Sequence, residues 1–464
     1  MARQSNKITV LLIVLAVSVR LVLYFAFNNV FAYEKTGSVQ GFIDYHLIAN
    51  NLIKTGEFTV QTGLPYAGVA PAYPYLLALI YTIFGQGSLQ AVLLNAACDA
   101  LTIWLLIAIA RRIMPRGEIV GPLAALFFAV YPYFVFQSLT VIDTPLFTMV
   151  QFAFLYVMVL LAQRATFDRA TWLLIAVGGV VLGIVALTRP LGVMLGAAAF
   201  LWFFVRDVRS SFTRLIPVAI IAALALIPWD IRNYQVFHRF VNIGTHAGMN
   251  FWFGNSQYVI PYFSAGYHTQ WATPEQPPEP LSPPDMDTYM MNLGMKYLRE
   301  NPDKIPELLW VKFVAYWGVG IFPSKNPVSG EVPIVDYQGV PTASTDAQGN
   351  LQVTGVPTND PLNAYSEPLF DRIGRIAQVV YFGGLLILGL IGVVLTRRQW
   401  RDVSLLWFVQ IVMTVMYVVF SGPTTRYRVP TDPLLFLFSA VTVVMVWEAL
   451  HQRRQPTAIN VVTR

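Results

Sequence analysis

The sequence predicts an all-α polytopic membrane protein with about ten transmembrane helices. Of its 464 residues 56% are hydrophobic and only 12% are charged, whereas a soluble domain carries about 25% charged residues. Apolar stretches of about 20 residues, long enough to cross a bilayer, recur along the whole chain. Arginines cluster just after five of these stretches, and cationic flanks of membrane spans stay in the cytoplasm. The clusters are Arg111, Arg112 and Arg116; Arg164 and Arg169; Arg206, Arg209 and Arg214; Arg397, Arg398 and Arg401; Arg453 and Arg454.

The first apolar stretch, residues 8–27, is predicted to be a retained span. It is long for a signal-peptide core and lacks a small-residue cleavage site, and Arg3 and Lys7 place the N-terminus in the cytoplasm. An outer loop, residues 28–88, follows. Its short apolar part, 71–84, is predicted to lie along the membrane surface, because a span there would put the Arg111 cluster on the wrong face.

The later spans continue the alternation and return the C-terminus to the cytoplasm. They are predicted at about 89–110, 120–136, 145–162, 172–187, 191–205, 215–229, 379–395, 405–420 and 434–450. The chain therefore divides into an N-terminal transmembrane catalytic module (1–229, with outer loops 28–88 and 137–144), an extracytoplasmic region (230–375) and C-terminal transmembrane helices (376–464). In the extracytoplasmic region, residues 286–316 have helical periodicity interrupted near Asn301, which predicts interfacial helices, and 332–356 has the signals of a small hairpin.

Two charged residues lie inside the predicted membrane spans. Arg20 and Asp99 lie within spans one and two at compatible depths, and unpaired charges there are costly. We expect a buried ion pair that holds these spans together; a proton relay is the alternative. The single cysteine, Cys98, excludes an intramolecular disulfide and is expected to be a buried thiol.

This topology collects a mixture of acids and bases at the outer boundary, whereas arginine dominates inside. Each residue alone could be a solvated loop end, a helix cap or a snorkelling side chain. The set is Asp44, His46, Asp143, Arg189, Asp230, Arg232, Asn233, Arg239, Lys325, Arg426 and Arg428.

An ordered series of short motifs runs through the same loops. It reads Ile43-Asp44-Tyr45-His46, Ala70-Pro71-Ala72-Tyr73-Pro74, Val141-Ile142-Asp143-Thr144-Pro145, Thr188-Arg189-Pro190, Pro228-Trp229-Asp230-Ile231-Arg232-Asn233 and Arg426-Tyr427-Arg428-Val429-Pro430. This series resembles the bacterial polyprenyl-phosphate-sugar-dependent glycosyltransferases of the GT-C fold, in particular the protein O-mannosyltransferase and aminoarabinose transferase branch (glycosyltransferase family 39-like). The chain departs from many relatives at Ala70-Pro71-Ala72, where they carry Lys-Pro-Pro.

The resemblance implies a hexosyl- or pentosyltransferase that moves a sugar from a polyprenyl-phosphate donor to an acceptor hydroxyl, with inversion. It implies that Asp44 is the general base and that Asp143 is a second active-site acid. No cofactor is certain, and a divalent metal near Asp143 remains open. The planar guanidinium of arginine can donate two parallel hydrogen bonds to a leaving phosphate. The candidate phosphate ligands are Arg189, Arg232, Arg426, Arg428 and Lys325. The candidate acceptor or sugar pocket comprises Tyr45, His46, Trp229, Asn233 and Asn255.

The expected partners are the lipid-linked donor, membrane lipids and a glycan, lipid or protein acceptor; nucleic acid is not expected, because the positive charges lie in short loops between spans. The expected location is the bacterial inner membrane, with an extracytoplasmic active site. The alternatives are a transporter or flippase of lipid-linked sugars and a non-catalytic envelope scaffold. Transporters usually have paired repeats and polar residues near the midplane, whereas here the polar residues gather at one surface.

Overall fold

The computed structural model describes residues 2–325, 344–345, 351–352 and 368–454, and this part of the chain is almost entirely helical. Four 3₁₀ turns, Pro190–Met194, Thr269–Trp271, Pro302–Lys304 and Arg397–Gln399, lie between the α-helices. The α-helices are α1 (Ala2–Ala26), α2 (Asn28–Phe31), α3 (Tyr33–Thr36), α4 (Ile43–Lys54), α5 (Ala72–Phe84), α6 (Ser88–Ile113), α7 (Gly117–Ala129), α8 (Pro132–Ser138), α9 (Thr144–Ala162), α10 (Arg169–Thr188), α11 (Leu195–Arg206), α12 (Val208–Phe237), α13 (Ala247–Gly254), α14 (Val259–Ala265), α15 (Pro283–Glu300), α16 (Ile305–Trp317), α17 (Pro368–Leu395), α18 (Trp400–Phe420), α19 (Thr425–Arg428) and α20 (Asp432–Arg454).

The predicted polytopic all-α class is confirmed. Among the described residues, eight helices are long and apolar enough to cross a membrane, namely α1, α6, α9, α10, α12, α17, α18 and α20. The predicted third span is the pair α7 and α8, which is bent by 63° and makes a ninth crossing if counted as one. Tyr131 before Pro132 is extended, because a residue preceding proline is disfavoured in the helical region. The predicted sixth span is the shorter apolar segment Pro190–Arg206, which opens with a 3₁₀ turn.

Charged residues lie at both ends of the bundle. At one end, arginine-bearing turns are tied to one another: Arg112 donates to Gln163 at 2.7 Å, Arg206 pairs with Asp402, and Arg214 donates to the carbonyls of Leu161 and Arg164. The other end carries Asp143, Arg189 and Arg426, and we call it the site end. Helices α18 and α20 pack on α11 and α7, so the C-terminal helices complete one bundle with the N-terminal part.

Short helices cover the site end. Helix α5 is apolar and too short to span, as expected for the predicted surface helix, and it packs on α4. A second covering region comprises α13 to α16. In it α15 ends at Glu300 and α16 begins at Ile305, so the predicted helical segment breaks at Asn301 as expected. The two-residue strands β1 (Ser344–Thr345) and β2 (Leu351–Gln352) pair antiparallel, consistent with the predicted hairpin; the remainder of 332–356 lies outside the described residues.

The expected intramembrane ion pair is present. Arg20 Nε lies 2.6 Å from Asp99 Oδ2, and both side chains are fully buried. Ser138 Oγ donates to the same carboxylate at 2.6 Å, and Arg20 Nη1 donates to the carbonyl of Ala129 at 2.7 Å. The pair therefore joins α1 and α6 to both arms of the bent α7–α8 crossing. The thiol of Cys98 is buried, as predicted.

Replacing Asp99 with asparagine should lower the yield of folded protein, because Arg20 would keep a buried charge without a counter-ion. Removing one partner of a buried pair costs about 3–5 kcal/mol. The measurement is the monodisperse fraction and the thermal unfolding temperature of the purified protein in detergent. Asp402→Asn, in the partly exposed pair with Arg206, is the control and should change stability by about 1 kcal/mol or less. Normal yield of Asp99→Asn with lost turnover would instead support a proton relay.

Candidate active site

A short backbone pairing brings the two predicted acids into one region. Gly41 forms a parallel bridge with Val141, in which Phe42 N donates to Val141 O and Val141 N donates to Gln40 O, both at 2.9 Å. Gly41 has a φ of +110°, and a Cβ there would lie 2.5 Å from Val141 O; glycine alone tolerates both conditions. The pairing places the start of α4, with Asp44, beside the start of α9, with Asp143.

Asp143 is the centre of a buried charge cluster. Its Oδ2 lies 2.7 Å from Arg189 Nε and its Oδ1 lies 2.9 Å from Arg189 Nη2, so Arg189 binds it with two parallel hydrogen bonds. Arg426 Nη2 donates to Oδ1 at 2.6 Å. Burial alone would raise the pKa of Asp143, but the charges of Arg189 and Arg426 outweigh burial and hold that pKa well below its usual range. Asp143 is therefore ionised and serves poorly as a base.

Arg426 is the accessible member of this cluster. Its side chain is 23% exposed, against 2% for Asp143 and 7% for Arg189. Its Nε forms no hydrogen bond within the described part of the chain, and its guanidinium carbon lies 5.9 Å from the ring centroid of Phe42. The charge of Asp143 raises the pKa of Arg426 even though burial opposes this. Arg426 is thus a fixed cation with donor capacity left for an anionic ligand.

Asp44 directly precedes Tyr45, the residue of α4 that lies near the Asp143 cluster. Its carboxylate is half-buried and its Oδ2 accepts a 2.5 Å hydrogen bond from the Tyr66 hydroxyl. Asp44 stands in the first turn of α4 and makes no cap bond there; likewise the side chain of Asp143 does not cap α9. Neither carboxylate is used as a helix cap: Asp44 binds Tyr66, and Asp143 binds the two arginines.

Tyr45 follows Asp44 on α4 and lies near Asp143. It is buried, and burial together with the charge of Asp143 raises the pKa of its phenol, while Arg426 and Arg189 partly offset the rise. Its ring also contacts Tyr73 at 5.1 Å between centroids. Tyr45 therefore lies close enough to the Asp143 cluster to feel its charges.

Three of the five predicted phosphate ligands are placed elsewhere. Arg428 is fully buried, pairs with Asp432 at 3.1 Å and donates to the carbonyls of Tyr316 and Gly318. Arg232 donates to the carbonyls of Tyr66 and Phe58 at 2.9 Å. The ammonium of Lys325 lies 5.6 Å from the ring centroid of Tyr267. The side chains of Arg428 and Arg232 hold loops together, and only Arg189 and Arg426 meet at Asp143.

Most of the predicted pocket residues also hold the fold. His46 Nδ1 lies 3.2 Å from the Tyr81 hydroxyl and Nε2 lies 3.0 Å from Asn50 Nδ2, on a side of α4 away from Asp44. Trp229 Nε1 donates to Ile243 O at 2.6 Å, and Asn233 Nδ2 donates to Val241 O at 3.1 Å. In the second covering region Asn255 Oδ1 accepts from buried Lys312 at 3.1 Å, and burial lowers the pKa of Lys312 to about 7.

Two residues of the site carry no sequence signal of their own. Tyr66 binds Asp44, and the His246 ring lies edge-on to Tyr66 with 6.3 Å between centroids. Both lie in loops without a motif, and they meet because Thr245 N donates to Ala67 O at 2.9 Å. Only the fold brings them together across 180 residues of sequence.

An apolar cavity of about 320 Å³ opens between α5, α10 and α12, beside the loop that carries Tyr66. Arg232, which holds the Tyr66 carbonyl, forms one wall. The lining residues are Pro71, Ala72, Tyr75, Leu187, Ala225, Pro228, Trp229 and Arg232. The cavity could take an apolar chain that reaches towards the site.

The residues around Asp143 do not fit a divalent metal. Both of its oxygens are bound by arginine, and the described part of the chain has no group of three or more His, Cys, Asp or Glu side chains placed to hold an ion. A hard cation needs several oxygen ligands.

The comparisons with known proteins agree with this architecture. The model of the family described as "Dolichyl-phosphate-mannose-protein mannosyltransferase" matches residues 68–230. The archaeal oligosaccharyltransferase AglB of Archaeoglobus fulgidus, solved with an inhibitory peptide and a dolichol-phosphate, superposes with a TM-score of 0.53 at 15% identity, over 97% of this chain and 51% of that one. Its apo form gives a TM-score of 0.54 at 14% identity, with the same shares of the two chains.

A further solved structure is ArnT from Cupriavidus metallidurans bound to undecaprenyl phosphate, with a TM-score of 0.46 at 15% identity, over 94% of this chain and 78% of that one. No curated protein matches significantly. The chain spans about half the length of the archaeal structures. The superposition on the archaeal structures shows that this chain has the GT-C fold, which confirms the predicted resemblance. Residues 68–230 match the dolichyl-phosphate-mannose-protein mannosyltransferase family model.

Proposed function

We propose that this protein is an integral-membrane glycosyltransferase that transfers a sugar from a polyprenyl-phosphate donor to an acceptor hydroxyl. The observation that carries the proposal is the convergence of Asp44 with the Asp143–Arg189–Arg426 cluster at one end of the bundle. Asp44 lies two residues after Phe42, whose ring centroid is 5.9 Å from the guanidinium carbon of Arg426, and glycosyl transfer from a lipid phosphate needs a carboxylate and a cation. The match of residues 68–230 to a mannosyltransferase family supports the same reaction.

The cation would stabilise the leaving group. As the glycosidic bond breaks, the phosphodiester becomes a phosphomonoester and gains negative charge, so it leaves without needing a proton. Preorganised donors that meet such developing charge lower the barrier. Arg426 has an exposed edge, and its buried Nε has no hydrogen-bond partner among the described residues; Asp143 fixes its position, and Arg189 fixes Asp143 in turn. Arg426 is therefore our phosphate ligand, with Asp143 and Arg189 holding it in place.

The carboxylate would activate the nucleophile. The acceptor hydroxyl must lose a proton as it attacks the anomeric carbon, and a carboxylate within hydrogen-bond reach can take it. Tyr66 occupies Asp44 Oδ2, which leaves Oδ1 for the acceptor. One direct displacement with one base inverts the anomeric centre.

The donor lipid would lie in the apolar cavity between α5, α10 and α12. Its wall is formed by prolines, aromatic rings and aliphatic side chains, and Tyr75 on this wall is 47% exposed. The cavity adjoins the loop that carries Tyr66, so a chain seated there would bring its phosphate towards Asp44 and Arg426. No lysine stands at Ala70 to meet that phosphate, so arginine must supply the cation: Arg232 lines the cavity and Arg426 is at the Asp143 cluster.

The distribution of arginine supports an extracytoplasmic site. Cationic flanks remain cytoplasmic, and the arginine-bearing turns lie at the end opposite Asp143. The site end would then face outward from a bacterial inner membrane, with both termini inside. The family match favours a hexosyl donor, mannose first, over a pentosyl one.

The test is a donor assay with the full-length protein in nanodiscs. Isotopically labelled polyprenyl-phosphate mannose and polyprenyl-phosphate arabinose are supplied separately with a membrane extract as the source of acceptors. Labelled product together with released polyprenyl phosphate is the expected result, with mannose preferred. Absence of transfer and of phosphate release with every donor would overturn the proposal and favour transport or a scaffold role.

A further inference from the structure

His246 occupies a fixed position beside the proposed base. It directly precedes α13, and two residues later Gly248 N donates to Asp287 Oδ1 on α15 at 2.6 Å. A Cβ at Gly248 would lie 1.8 Å from Asp287 O, so α13 and α15 touch through their backbones. The Thr245–Ala67 hydrogen bond holds the other side of the histidine. The backbone around the imidazole is therefore held from two directions.

The imidazole lies close to the Asp44–Tyr66 pair. A Cβ built on Gly68 would lie 2.5 Å from the Tyr66 hydroxyl oxygen and 2.8 Å from His246 Cε1. These two side chains therefore converge on the same glycine, and the hydroxyl is the one that binds Asp44. An alanine at position 68 would displace both of them.

The imidazole has the properties of a proton acceptor. It forms no side-chain hydrogen bond with any described residue, and it is only half-buried, so it reaches solvent. Burial lowers the pKa of His246, while the charges of Asp44 and Asp287 partly oppose this. The groups that face it are Asp44 on α4, Tyr66 on the following loop and Asp287 on α15. A neutral ring flanked by two carboxylates is suited to receive a proton and to stabilise its positive charge.

We propose that His246 is a positioning residue that acts through Asp44 by accepting the proton that Asp44 takes from the acceptor. The inference rests on the proposed function. As the acceptor oxygen bonds to the anomeric carbon, the bond from that carbon to the donor phosphate oxygen breaks and polyprenyl phosphate leaves, while the acceptor proton passes to Asp44. Protonated Asp44 then gives this proton to neutral His246. The charge of Asp287 stabilises the imidazolium, which releases the proton to water, and Asp44 is again a carboxylate.

The test is the pH dependence of turnover in His246→Gln. Wild-type turnover should fall as the pH drops through the pKa of His246, because the neutral ring is present only above that pKa. Turnover of the variant should be about 10- to 100-fold slower than that of the wild type, a smaller loss than removal of the general base would cause. The variant should also lack the fall in turnover at acidic pH. Added imidazole should restore part of the rate, a rescue that a merely structural role for His246 would not give.

Two further variants make the outcome decisive. His238→Asn is the control, because His238 is exposed and has a φ of +53°, a conformation that asparagine tolerates; it should match wild type. Asp287→Asn should weaken the acid-side fall without abolishing turnover. Wild-type rates and pH profile in His246→Gln, or a rate loss that imidazole leaves unchanged, would overturn the role of His246. Absence of transfer by the wild type would overturn the proposed function instead.

Discussion

Asparagine in place of Asp44 is expected to lower sugar transfer by roughly 10²- to 10⁴-fold, the usual contribution of a general base. The amide keeps the size of the side chain and can still accept the hydrogen bond from Tyr66, so the fold should be retained. It cannot take the proton of the acceptor hydroxyl. The measurement is initial transfer rate from the labelled donor at saturating acceptor, alongside donor binding, which should be unchanged.

The same loop supplies the control for this variant. Glu57 is an exposed carboxylate that accepts a hydrogen bond from Gly63 N at 2.9 Å, and Glu57→Gln should keep wild-type turnover. Tyr66→Phe is the intermediate case, because it removes one hydrogen bond from Asp44, which is worth about 1 kcal/mol, and should cost about fivefold. Transfer at the wild-type rate by Asp44→Asn would remove the base from the mechanism.

The topology could be predicted from the sequence because it depends on local chemistry. Each span is a continuous apolar run, and the turns at the end opposite Asp143 carry their own arginines, so both features can be recognised without knowing what packs against them. The bend between α7 and α8 was not predicted, although Pro132 marks it, since a proline also occurs inside α7 at Pro122 without breaking that helix. A proline indicates where a bend is possible; the neighbouring helices decide whether it forms.

The site was predictable only in part, because partner choice depends on distant residues. Asp143, Arg189 and Arg426 come from segments up to 283 residues apart, and their motifs placed all three at one boundary. Nothing in the sequence separates Arg426 from Arg428. Successive residues of a helix point about 100° apart. Arg428 lies two positions after Arg426 on α19, so its side chain points in nearly the opposite direction, into the packing of the bundle.

Arg426 and Arg428 offer a matched pair of variants with opposite expected effects. Arg426→Gln should lower turnover by roughly 10²- to 10³-fold, the cost of removing one donor to a developing anion. Folding should be retained, because Arg189 still binds both oxygens of Asp143. The measurements are turnover with the labelled donor and the thermal unfolding temperature of the same preparation.

Arg428→Gln should instead lose the fold. Its guanidinium lies 3.8 Å from the ring centroid of Phe382, pairs with fully buried Asp432 and donates to two backbone carbonyls. Without it Asp432 is left as an unpaired buried charge, which costs about 3–5 kcal/mol, so little monodisperse protein should be recovered. A stable, inactive Arg428→Gln beside a fully active Arg426→Gln would reverse the assignment and make Arg428 the phosphate ligand. The pair therefore tests the geometry of the site directly, because both substitutions are chemically identical and only the direction of the side chain differs.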